Sequence, residues 1–143
     1  MKQLLAVGLL YFSLAAVQAQ KITDSGVPVV IKEAFAKMYP GIKKASWNKV
    51  DTLYIASFSD GNYKGAVSFN NDGKWSERET VISVASVPAG INSYVEKNYK
   101  NEKITGAVKI RKSSGEIRYR VAVGNKQILF TKEGNFIKVS QPI

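Results

Sequence analysis

The 143-residue chain contains no cysteine and no histidine. The first absence excludes disulfide staples, thiol nucleophiles and cysteine-based zinc sites, and the second removes Ser-His-Asp and Cys-His catalysis. Acidic side chains are few as well, 11 against 21 Lys and Arg. Paired carboxylates for acid–base chemistry are therefore scarce. Glu77 and Glu79, two apart on an expected strand, share a face and are read as exposed carboxylates among lysines. No glycine-rich phosphate loop occurs, and no Ser-x-x-Lys motif stands at a strand-to-helix junction. Residues 68–73 with Glu79 loosely follow a calcium-loop pattern, but serine holds the first position and strands flank it, so a hairpin turn explains them. Neither an enzyme nor a cofactor is expected.

Long apolar runs are equally rare. The only one, Leu4 to Val17, covers 14 residues, short of the roughly 20 needed to span a bilayer. With Lys2 before it and Val17-Gln18-Ala19 after it, residues 1–19 have the three parts of a secretory signal peptide, cut before Gln20. Without cysteine the lipoprotein route is closed. The expected mature chain is exported and carries 20 basic and 11 acidic residues. Residues 20–86 hold 9 basic and 7 acidic side chains, and 87–143 hold 11 and 4. Outside the cytoplasm such an excess suits an acidic protein, an anionic polymer or an anionic membrane surface better than nucleic acid, and a protein partner is expected to have an acidic or mixed surface.

A spacing of 60 links Val27-Pro28 to Val87-Pro88, Ile31 to Ile91, Lys37 to Lys97 and Tyr39 to Tyr99. One residue more links Phe69 to Phe130 and Gly73 to Gly134. Each Val-Pro opens a helical stripe: Ile31, Ala34, Phe35 and Met38 in one, Ile91, Tyr94, Val95 and Tyr99 in the other. The period then falls to 2. Tyr54, Ala56 and Phe58 alternate, then Gly65, Val67 and Phe69, with Asn71-Asp72-Gly73 as a hairpin turn. Ile117, Tyr119, Val121 and Val123 repeat the pattern later. The expected class is α+β: two tandem units (20–86 and 87–143), each a helix plus a meander of about four strands. Both helices would pack on one face of the sheet, and the two units would form one compact domain.

Val-Pro, the helix ending in Tyr39-Pro40-Gly41, Trp47 with Lys49, the strand Tyr54 to Phe58 and Asp72-Gly73-Lys74-Trp75 together resemble the PepSY-like family. These are small exported proteins of Gram-negative bacteria with a fold like that of the beta-lactamase inhibitor protein. The resemblance implies a helix-plus-antiparallel-sheet repeat, a periplasmic location, and a binding or inhibitory role. It does not carry over beta-lactamase inhibition, because the loop residues on which such inhibitors depend have no match here.

Candidate binding residues follow from alternation. With Tyr119 and Val121 turned toward the helices, Arg118 and Arg120 point to the open sheet face. Lys109 and Arg111 share a face with each other, and the register decides whether it is the same one. Leu53 and Ile55 give the open face an apolar half, and an apolar centre with a charged rim suits a protein or peptide partner. The leading expectation is a monomeric, non-catalytic binding module. The alternative is a carrier or sensor of a small anionic or lipid-like ligand held between sheet and helices, beside Phe35, Tyr54 and Tyr119.

Overall fold

The computed structural model describes residues 19–61 and 63–140. The expected signal peptide therefore lies, but for its last residue, outside the described residues. Nine strands run in chain order: β1 (Gln20–Ile22), β2 (Ser46–Val50), β3 (Leu53–Ser59), β4 (Lys64–Phe69), β5 (Trp75–Ile82), β6 (Ile104–Lys112), β7 (Ile117–Val123), β8 (Lys126–Thr131) and β9 (Phe136–Ser140). Each pairs antiparallel with its neighbours in one sheet of order β1 to β9. Helix α1 (Val29–Met38) lies between β1 and β2, and α2 (Ala89–Asn98) between β5 and β6.

The α+β expectation of two helix-plus-meander units is corrected by this architecture. The protein is predominantly β, a single nine-stranded antiparallel sheet with two ten-residue helices. The physical reason lies at the junction. Strands β5 and β6 pair directly from Glu77↔Lys112 to Ile82↔Ala107, so one backbone ladder runs through both halves. The helices stay short because each is closed early. Pro28 and Pro88 occupy the N-caps, and the backbone N–H of Tyr39 and of Tyr99 ends each helix by donating to Phe35 and Val95.

The core forms where helix stripe meets strand alternation. Ile31 and Phe35 of α1 pack with Trp47, Tyr54, Ala56, Phe58, Val67 and Phe69. Ile91 and Val95 of α2 pack with Ala107, Val121, Val123, Ile128 and Phe130. Directly paired residues share a face, and the register Ala56↔Val67, Val67↔Arg78, Arg78↔Arg111 carries one face across the middle strands. Ala107 lies on that face too, four residues from Arg111. Both helices therefore cover the same side, α1 over β2–β4 and α2 over β6–β8. Between them, Arg78 and Thr80 of β5 and Lys109 and Arg111 of β6 belong to neither core cluster. Among the described residues, no helix is long and apolar enough to cross a membrane.

Candidate functional site

The helix-free face is built by the alternate residues of every strand. Val50, Ile55 and Ala66 form a small buried cluster there, and Leu53, which pairs with Val50 across the β2–β3 turn, is half-buried beside it. Farther along, Ser68, Val108 and Ile110 are buried, as is Glu79. Arg118 pairs with Ile110 and Arg120 with Val108 in the β6–β7 register, so both arginines occupy this face, as alternation requires.

The two arginines differ in what they can offer. Arg120 Nη2 donates to Glu79 Oε2 at 2.7 Å, and the side chains are 11% and 3% exposed, so this ion pair is interior. Burial pushes the Glu79 carboxyl up to about 7, against the pull of Arg120 and with a smaller push from Glu77. Arg118 is more open and holds a surface ion pair with Glu116. Sequence alternation placed Glu77 and Glu79 on one face correctly but read both as exposed. The signal for a buried Glu79 was its position opposite Ala66 and Ile110, which only the register reveals.

Lys109 and Arg111 lie on the other side. Lys109 pairs with Tyr119, and Arg111 with Ile117, so their side chains share the helix-bearing face. The structure thus does not bring Lys109 and Arg111 together with Arg118 and Arg120. Arg78 and Thr80 of β5 join them instead, and with Tyr63 these residues line a cleft of about 480 Å³. Tyr63 folds over Gly65, where a Cβ would lie 2.7 Å from the Glu79 carbonyl and 3.0 Å from the Tyr63 ring. The Tyr63 and Thr80 hydroxyls are 2.9 Å apart. Arg78 lies over the Trp75 ring, 4.7 Å from its centroid, and burial pushes the nearby Tyr39 phenol up to about 12, against the pull of Arg78. Phe35 and Tyr54 belong to the packed core, where Phe35 meets Tyr39, Trp47 and Phe58. Tyr119 packs against the α2 half of the core.

Several solved structures share this fold. A protein from Bacteroides eggerthii described as periplasmic superposes with a TM-score of 0.73 at 22% identity, covering 80% of this chain and 88% of that one. A DUF2874 family protein from Bacteroides ovatus gives 0.69 at 23%, over 80% and 86%. A BLIP-like protein from Bacteroides fragilis gives 0.63 at 20%, over 82% and 90%. No curated protein matches the sequence. Residues 52–138, from the β2–β3 turn into β9, match the family described as "beta-lactamase-inhibitor-like, PepSY-like". With more than half its length in that match, the chain belongs to the PepSY-like family.

Proposed function

We propose that the protein is an exported, non-catalytic binding module that engages a protein or peptide through the helix-free face of its sheet. The observation that carries this is the composition of that face. The partly exposed Leu53, seated on the buried cluster of Val50, Ile55 and Ala66, shares one continuous sheet surface with the cationic Arg118, an apolar contact beside a charged rim as in protein interfaces. The inhibitor-like family is the second support. The partner is an extracytoplasmic protein with an acidic or mixed surface, since the chain carries 21 Lys and Arg against 11 Asp and Glu.

Export is part of the same reading. Residues 1–19 act as the signal peptide, and strand β1 opens at Gln20, the first residue after the expected cut. The periplasmic description of the Bacteroides eggerthii protein agrees with this address. Intact-mass analysis of the exported protein is expected to give a chain starting at Gln20. A mass that includes residues 1–19 would overturn the export assignment.

The binding face is tested with Leu53→Asp and Arg118→Glu as separate baits against periplasmic extract. Both side chains are partly exposed, so each variant should fold. The expected result is a partner retained by the wild type, lost at least about tenfold by Leu53→Asp at the centre, and weakened by Arg118→Glu at the rim most strongly at low salt. Equal retention by all three baits would sink the reading. Arg120 is left intact, because reversing it would place two carboxylates together in the interior.

A further inference from the structure

The cleft on the helix-bearing face is a separate feature. It lies on β5 and β6 and is lined by Tyr63, Arg78, Thr80, Lys109 and Arg111. Arg78 and Arg111 stand at directly opposed positions there, and Thr80 opposes Lys109 one step along. Among the described residues, no carboxylate pairs with Arg78, Lys109 or Arg111. Like charges at opposed strand positions destabilise a sheet. The same two strands avoid this on the other face, where Glu77 stands opposite Lys112. Solubility does not require the arrangement either, because cations spread over open surface serve it without mutual repulsion.

We propose that this cleft is a binding site for a phosphate-bearing small ligand, distinct from the protein-binding face. A tetrahedral oxyanion with up to two charges answers three cations better than a singly charged carboxylate does. The two guanidiniums supply planar forks of donors suited to phosphate oxygens, and Lys109 adds a point charge. The Tyr63 and Thr80 hydroxyls, 2.9 Å apart, add polar groups to the lining beside the cations. Trp75 beneath Arg78 and Tyr63 over Gly65 hold the site in shape before the ligand arrives. The volume of about 480 Å³ falls within the ordinary range of small-ligand pockets.

The phosphate could belong to a free solute or to a lipid headgroup, and two probes separate these sources. Pyrophosphate is titrated calorimetrically into the purified protein at fixed ionic strength, and co-sedimentation is measured with phosphatidylglycerol vesicles. Saturable pyrophosphate binding, weakened at least about tenfold in Lys109→Gln/Arg111→Gln and unchanged in Arg118→Gln, is the expected result. The single variant Arg111→Gln, at an exposed position, should weaken binding in the same direction without altering the fold. Vesicle retention with the same dependence on Lys109 and Arg111, but no pyrophosphate binding, would assign the phosphate to a headgroup. Binding of neither probe, or binding that the cleft variants leave unchanged, would overturn the proposal. Because Arg118 and Leu53 lie on the opposite face, either outcome is independent of the protein-binding test.

Discussion

Glu79 couples the interior of the sheet to pH in a direction opposite to most carboxylates. Burial at 3% exposure raises its carboxyl from 4.5 to about 7, although Arg120 lies 2.7 Å away. Between those values the folded protein keeps a proton that the unfolded chain has released. Stability contributed by this group is therefore full below about pH 4.5 and declines as pH rises through 7. Urea unfolding of the wild type and Glu79→Gln at pH 5 and pH 8 isolates the effect. The wild type's stability relative to the variant should fall by on the order of 1–3 kcal/mol across that interval. A constant difference would mean that Arg120 holds Glu79 ionised throughout. The sequence showed which face Glu79 shares with Glu77, but its burial depends on Ala66 and Ile110 opposite, and those neighbours follow from register rather than local pattern.

Hairpin tips, as elements, hold the helices in place. The β4–β5 turn reaches the first turn of α1 at Gly73, where φ is +81° and a Cβ would lie 2.9 Å from Val30 Cγ2. The β8–β9 turn reaches α2 at Gly134, where φ is +90° and a Cβ would lie 3.3 Å from the Gly90 backbone. Gly115, in the β6–β7 turn, has φ +93° with open space around it. Alanine at Gly115 therefore measures the conformational cost alone, about 1 kcal/mol. Alanine at Gly134 adds the loss of close approach to α2. Chemical denaturation should show Gly134→Ala costing roughly 1–2 kcal/mol more than Gly115→Ala; equal costs would mean that the tip does not dock. The turns themselves were legible, since Asn71-Asp72-Gly73 and Gly134 interrupt strict alternation. Strand β1 was not, because three residues carry too little periodicity to be distinguished from the approach to a helix.

For the whole molecule, the decisive contact is the β5–β6 ladder. The sequence contains two similar segments, and their helix stripes and strand alternations were readable: Ile31 and Phe35, Ile91 and Val95 are all buried as those stripes require. What local pattern could not supply was whether the halves are joined, because β5 and β6 are separated in the chain by α2 and pair only after it folds back. Their pairing makes one sheet, and that has a consequence for cooperativity. Both tryptophans, Trp47 and Trp75, belong to the first half, whereas far-UV circular dichroism reports the whole sheet. Ile128 is fully buried in the second half, and Ile128→Ala should cost about 2–4 kcal/mol through lost burial and a cavity. If the ladder transmits that loss, tryptophan fluorescence and circular dichroism will shift to the same lower denaturant midpoint. A fluorescence transition that stays at its wild-type midpoint would mean that the first half folds without the second. The expected coincidence follows from the geometry: unfolding β6–β9 would strip β5 of every hydrogen bond on one side and expose an edge in the middle of the sheet.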